Sequence, residues 1–185
     1  MPVRKKNLFG GYETMKIEFL TKLNGFSLRD TLVFDNLYEP ELQMELFYKE
    51  GLFQTSSLVC TFMMIDGVLA GEIYGIRARD VGEDGEEVIP DSRESMWKEM
   101  YCYSFTVLPE YRYQSIMMNV SMLMKQHWIQ QVRTKGYRYI VGHATSSGAQ
   151  RINAELGAVF YPDHNIENIF DSDRLGRYYE LQLCK

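Results

Sequence analysis

The residues of this sequence best suited to chemistry form neither a metal-ligand pattern nor a triad. They are single titratable side chains set in β-forming runs, together with one junction where a strand gives way to a long helix. Glu72 stands in VLAGEIYGIRAR, Val68 to Arg79, between Gly71 and Ile73. A carboxylate there can bind a cationic amine or take a proton from one; the plainer alternative is a glutamate facing solvent on an amphipathic strand. His143 closes YRYIVGHA, Tyr137 to Ala144. Ligand crevices lie at the ends of parallel strands, and an imidazole there titrates near neutral pH and can serve as a base; a hydrogen-bonded structural histidine is the alternative. Phe105 to Gln131, FTVLPEYRYQSIMMNVSMLMKQHWIQQ, reads as a buried strand, a Pro-containing loop and a long helix. The start of that helix aims unpaired N–H groups and a positive dipole end at one spot, a ready site for a phosphate.

Composition narrows the classes around these residues. The 185 residues fit one domain, 1–185, with residues 1–14 as a possible flexible tail. The hydrophobic content of 45% and charged content of 24% are those of a soluble globular protein. A net charge of −5 argues against a nucleic-acid partner, which would call for a basic face. No apolar run is long enough for a membrane span, and Arg4, Lys5 and Lys6 are not followed by the apolar segment of a secretory signal. Cys60, Cys102 and Cys184 are widely spaced and odd in number, which predicts reduced thiols and a cytoplasmic location. His127, His143 and His164 lack metal-ligand spacing, so no metal is expected.

The elements that must hold these residues follow from pattern. Met15 to Leu20 alternates as a first strand, and Tyr38 to Leu52 has helical spacing with Pro40 in its first turn and Gly51 as a stop. Ser57 to Ile65 and Val68 to Arg79 flank Asp66-Gly67, a strong hairpin turn. Asp80 to Glu94 is a polar loop whose acidic residues Glu83, Asp84, Glu86, Glu87 and Asp91 either attract a cationic acceptor or are simply solvated. A long strand over Lys98 to Leu108 leads to a helix from about Ser115 to Thr134, ended by Lys135-Gly136. Its methionines read as adaptable core filler, or as a deformable pocket for an acyl chain longer than acetyl. Strand Tyr137 to Ala144, a helix over Ser146 to Gly157 with a serine cap, and strands Ala158 to Tyr161 and Arg177 to Leu183 complete the chain. This order predicts an α/β (α+β) fold: a mixed sheet of about six or seven strands flanked by helices.

The span Ser57 to Tyr161 resembles the GNAT superfamily of N-acetyltransferases. Phe105, Val107, Pro109, Tyr111 and Arg112 stand at the positions of that family's strand-end motif, and Leu156 to Tyr161, LGAVFY, is similar to its later L-G-F segment. The two small residues of the glycine motif after Arg112 are Ser115 and Met117 here, giving R-x-x-S-x-M. Glycine there allows close approach of phosphate to backbone, so this is the largest departure from the pattern.

The resemblance implies an acetyl-CoA or other acyl-CoA donor. Phe105 and Val107 would lie along its pantetheine arm, and Arg112, Tyr113, Gln114, Ser115, Ile116 and Met117 at its phosphates. Acyl transfer to an amine needs a deprotonated nucleophile and a polarised carbonyl. The strand glutamate that serves some family members as base matches Tyr101 here, with Glu99 two residues earlier, so a regular strand puts Glu99, Tyr101, Tyr103 and Phe105 on one face. Glu99 is the base candidate, or else a solvated strand-end carboxylate. The tyrosine that is a general acid in many members is Asn153 here, which can hydrogen-bond coenzyme A but cannot transfer a tyrosine's proton; Tyr161 or Tyr103 could substitute. The implied activity is an N-acyltransferase acting on a small-molecule amine or amino-acid acceptor by direct attack. Two alternatives stay open: an acyl-carrier-protein-dependent enzyme making a long-chain amide, and a GNAT-like binding module without catalysis.

Overall fold

One mixed sheet runs through the molecule, and its irregularities are what build the site. The computed structural model describes residues 2–6, 12–38, 40, 43–81, 98–112, 119–167 and 174–183. The strands are β1 (Pro2–Lys6), β2 (Tyr12–Leu20), β3 (Val59–Ile65), β4 (Val68–Arg77), β5 (Glu99–Val107), β6 (Tyr139–Ala144), β7 (Val159–Phe160) and β8 (Arg177–Gln182). They lie in the order β1-β2-β3-β4-β5-β6-β8-β7. Every pairing is antiparallel except β5 with β6. The mixed, helix-flanked sheet expected from the sequence is present, and the N-terminal residues expected as a tail contribute β1 at its edge.

The helices are α1 (Leu32–Asp35), α2 (Leu46–Gln54), α3 (Pro109–Arg112), α4 (Val120–Thr134) and α5 (Ser147–Glu155). The β3–β4 hairpin turns at Asp66 and Gly67, both with positive φ (51° and 83°), the backbone of a type I′ turn. Asp66 is also tied to β2, where its Oδ1 accepts from the Lys16 amide at 2.8 Å. α4 crosses β3, β4 and β5, and Trp128 Nε1 donates to the Val59 carbonyl at 2.9 Å. His127 stacks on Phe19 with ring centroids 4.6 Å apart, a packing role.

Three boundaries differ from expectation. α4 is first described at Val120, with the Asn119 side chain accepting from the Met122 amide as its cap, so the helix starts later than the expected Ser115. α2 starts after Glu45 and runs through Gly51 to Gln54, so neither Pro40 nor Gly51 bounds it. Propensity is overridden there by tertiary contact, because Lys49 in the middle of α2 is anchored to two carboxylates. Before it, Ser27 and Asp30 form a reciprocal capping box that starts a 3-10 turn running into α1.

Candidate functional site

The sheet opens where β5 should continue along β6. Only Glu99, Met100 and Tyr101 pair with Tyr139, Ile140 and Val141; beyond them β5 runs on to Val107 and β6 to Ala144 without pairing each other. A bulge in β5 accompanies the split. Tyr74 pairs with Ser104 and Gly75 with Cys102, leaving Tyr103 without an opposite residue. An extra residue bends and twists its strand, which turns β5 away from β6. Gly75 permits it: a Cβ there would lie 2.2 Å from the Tyr101 carbonyl oxygen and 3.0 Å from the Trp128 ring.

The bulge also reverses the side-chain parity. Met100 and Cys102 pack toward α4, whereas Tyr101 and Tyr103 pack on the other face. After the extra residue, Phe105 and Val107 are on the α4 face. The expectation that Glu99, Tyr101, Tyr103 and Phe105 share one face is therefore corrected at Phe105, because a regular period of two does not survive a bulge.

A cleft of about 460 Å³ occupies the split and passes from one face of the sheet to the other. Its lining is unequal in charge. Arg112, Lys125, Arg151 and Arg174 supply four cations, and Asp35 is the single carboxylate among the described lining residues. On the α4 face, Lys125 is fully buried, with Nζ 3.4 Å from Cys102 Sγ and 3.3 Å from the Tyr179 hydroxyl, and with the rings of Phe105, Trp128 and Tyr179 at 5.1 to 5.5 Å. Burial holds the Tyr179 hydroxyl well above its ordinary range, so it remains a phenol. Asn153 stands beside that hydroxyl, and its own Oδ1, buried in the cleft wall, has no hydrogen-bond partner.

The opposite face is built by α1, α2 and β4. Lys49 Nζ contacts Asp35 Oδ2 at 2.7 Å and Glu72 Oε1 at 2.9 Å, and all three side chains are buried. Burial pushes Glu72 up to about 8 despite the Lys49 ammonium, and pushes Asp35 up as well. Tyr38 meets Thr106 Oγ1 at 2.5 Å, while Ser104 Oγ is buried without a partner.

The residues named from sequence fall in three places. Tyr101, His143, Phe105, Val107, Arg112 and Asn153 line the cleft. Tyr101 OH lies 3.3 Å from His143 Nδ1, and His143 Nε2 lies 3.4 Å from the His164 carbonyl oxygen. The tyrosine stays a phenol, which makes its hydroxyl the donor and leaves Nε2–H to donate to the carbonyl. Burial pushes His143 down to about 4, so it does not titrate near neutrality as expected. Glu72 and Glu99 are buried, so the solvent-facing alternatives for both are overturned, and neither lines the cleft. Tyr113, Gln114, Ser115, Ile116 and Met117 lie outside the described residues, as do Cys184 and the acidic loop residues Glu83, Asp84, Glu86, Glu87 and Asp91. Arg112 Nε donates to the Val107 carbonyl at 2.6 Å, fixing the end of β5. Sequence reasoning missed Asp35, Lys49, Lys125 and Tyr179; a lysine in the middle of a helix carries no signal that distinguishes a buried one from the many exposed ones. Among the described residues, no group of His, Cys, Asp and Glu could hold a metal, and no helix is long and apolar enough to cross a membrane.

No family model and no curated protein matches the sequence. Solved structures do match. The ribosomal-protein-S18-alanine N-acetyltransferase of Escherichia coli superposes with a TM-score of 0.64 at 13% identity, over 92% of this chain and 95% of that one. An acetyltransferase of the GNAT family from Staphylococcus aureus Mu50 gives 0.64 at 13% identity, over 91% of this chain and 100% of that one. A Salmonella typhimurium structure that holds its cofactor acetyl-CoA gives 0.60 at 13% identity, over 92% and 95%. A likeness at this identity is one of fold, and the fold of this chain is that of the GNAT N-acetyltransferases.

Proposed function

We propose that the protein is an N-acyltransferase that moves an acyl group from acyl-CoA to a small amine. One observation carries the reading: β5 parts from β6 after Tyr101 in the middle of the sheet, beside a cleft with four cations among its described lining residues. An unpaired strand edge offers a ladder of N–H and C=O groups to an amide-bearing chain such as pantetheine, and the cations suit a nucleotide's phosphates. Arg112 and the start of α4 would hold the phosphates, and the partnerless Asn153 Oδ1 would accept from a pantetheine amide. The same charge layout favours coenzyme A over an acyl carrier protein, whose prosthetic arm has a single phosphate.

In this reading the acceptor enters from the α1–α2 face and meets the thioester where β5 and β6 diverge. The neutral amine attacks the thioester carbon, whose oxygen is polarised by a β5 backbone N–H. The C–N bond forms and the C–S bond breaks. An acceptor bound as its ammonium gives one proton to water in the open cleft before attack and a second after it, while the departing thiolate gains one from the Tyr179 hydroxyl, which is reprotonated through the same water. Tyr101 and His143 set the acceptor wall, with His143 neutral and held by two hydrogen bonds. Glu72 acts through Lys49 rather than on substrate, and the buried Glu99 supports the paired base of β5.

The test is calorimetric titration with acetyl-CoA, followed by thiol release in the presence of an amine panel. Saturable binding of acetyl-CoA and amine-dependent thiol release are expected. Absence of acetyl-CoA binding overturns the reading, and binding without turnover for any amine or acyl donor favours a non-catalytic module.

A further inference from the structure

Asp35, the one carboxylate among the described residues of the cleft wall, is the feature the reaction above leaves unassigned. Asp35 ends α1, lines the cleft and is 4% exposed. One of its oxygens, Oδ2, is taken by Lys49 Nζ at 2.7 Å. Lys49 cannot serve a ligand, since it is fully buried, makes no part of the cleft wall and is saturated by Asp35, Glu72 and the Thr31 carbonyl. The cluster of Asp35, Lys49 and Glu72 reaches the cleft only through Asp35. A second, independent feature lies beside it. Ser104 is 6% exposed and lines the same cleft, and its buried hydroxyl lies near Tyr38, Tyr74 and Glu72 without a hydrogen bond of good geometry to any of them. A buried hydroxyl without a partner in a cleft wall is placed to bond a ligand. The rings of Tyr38 and Tyr74 complete this end of the cleft, and aromatic rings next to a carboxylate favour an organic cation.

We infer that Asp35 and Ser104 form the acceptor pocket, and that it takes a cationic primary amine on an apolar or aromatic body with no carboxylate beside the nitrogen. The inference rests on the acyltransferase reading and names its substrate class. An α-amino acid held by its ammonium would set its carboxylate against Asp35, where Lys49, the cation at 2.7 Å, is already fully paired. The ammonium instead finds a carboxylate oxygen, a hydroxyl and two tyrosine rings. Lys49 and Glu72 are positioning residues: they hold the Asp35 carboxylate at the wall.

A matched pair of probes tests this. 2-Phenylethylamine and phenylalanine differ only by the α-carboxylate, and each is offered with acetyl-CoA while thiol release is followed. The expected result is a kcat/KM at least about tenfold higher for 2-phenylethylamine, since one lost charge pairing of roughly 1.4 kcal/mol is a factor of ten. In Asp35→Asn, KM for 2-phenylethylamine should rise about tenfold or more while the acetyl-CoA affinity is unchanged. Ser104→Ala, a smaller change to the fold, should raise the same KM by several-fold. Equal or better use of phenylalanine overturns the inference, as does an unchanged KM in both variants or failure of wild type to acetylate either probe while binding acetyl-CoA. Failure to bind acetyl-CoA at all would instead sink the acyltransferase reading on which it rests.

Discussion

Lys49 decides how much charge the interior can hold. Its ammonium sits between Asp35 and Glu72 with no solvent contact, so removing it leaves their two buried carboxyl groups without a cation. Breaking a buried pair in this way costs about 3–5 kcal/mol. Lys49→Met should lower stability by that amount in urea titration; a loss below about 1 kcal/mol would mean that the cluster is not closed in solution. Glu72 gives the same cluster a pH signature. Burial raises it from an ordinary 4.5 to about 8, so between those values the folded state holds a proton that the unfolded chain releases. Stability from this group is therefore present at low pH and is lost as pH rises through about 8. Compared with wild type, Glu72→Gln should gain relative stability from about pH 5 to about pH 8; a constant difference across that range would show that Glu72 is ionised throughout. On the α4 face, Tyr179 carries the corresponding prediction for chemistry. Tyr179→Phe should reduce kcat about 10²-fold with little change in KM, the usual scale for a general acid. An acyl donor whose leaving group is a thiophenol needs no proton and should recover most of the loss. If the loss is the same with both donors, Tyr179 is a structural partner of Lys125 and not the acid.

Among the elements, β5 carries the site, and Gly75 on its neighbour β4 carries β5. A methyl group at Gly75 would meet the Tyr101 carbonyl oxygen at 2.2 Å, a backbone atom that cannot move without shifting the bulge. Gly75→Ala should therefore cost about 3 kcal/mol or more, the upper end for overpacking, and should weaken acetyl-CoA binding together with stability. Gly51 is the control. It lies inside α2 with open space around it, so Gly51→Ala should add about 0.5–1 kcal/mol. Chemical denaturation of the two variants checks both, and a mild effect at Gly75 would mean that β5 can straighten. The same elements show what the sequence made legible. The hairpin could be read because Asp66-Gly67 sets its turn locally, and α5 because Ser146 caps it and Gly157 ends it with φ of 90°. The strand carrying Tyr101, Phe105 and Val107 was legible in position but not in facing, since nothing in EMYCYSFTV marks Tyr103 as the extra residue. A bulge is fixed by the partner strand, here by Gly75, and pairings between strands are long-range facts. Asp35, Lys49 and Tyr179 stayed hidden for the same reason: each acquires its character from groups distant in sequence.

At the scale of the whole molecule, the chain is acidic, with a net charge of −5, while the described residues of its cleft wall include four cations and one carboxylate. Binding of a polyanionic donor must therefore come from the cleft itself, against the field of the rest of the surface, and the contacts that supply it are short-ranged. Salt shortens the screening length from about 10 Å at 0.1 M to about 3 Å at 1 M, so the phosphate contacts should weaken steeply while contacts along the β5 edge should not. Binding to the folded state alone stabilises by about 2.7 kcal/mol at a ligand concentration of 100 Kd, and for a chain of this size each kcal/mol is worth about 2–4 °C in Tm. Acetyl-CoA at that excess should raise Tm by roughly 5–10 °C at low salt. Acetyl-pantetheine at the same concentration, having the thioester arm without the nucleotide, should give a much smaller rise that is almost independent of salt. Arg112→Ala should cut the acetyl-CoA shift toward the pantetheine value, since Arg112 both lines the cleft and fixes the end of β5 through the Val107 carbonyl. Equal shifts for the two ligands would place the binding energy in the strand edge and leave the cations without a role in donor recognition. A shift by acetyl-CoA that is unaffected by salt would lead to the same conclusion, and the phosphate site would then have to be sought away from Arg112 and the start of α4.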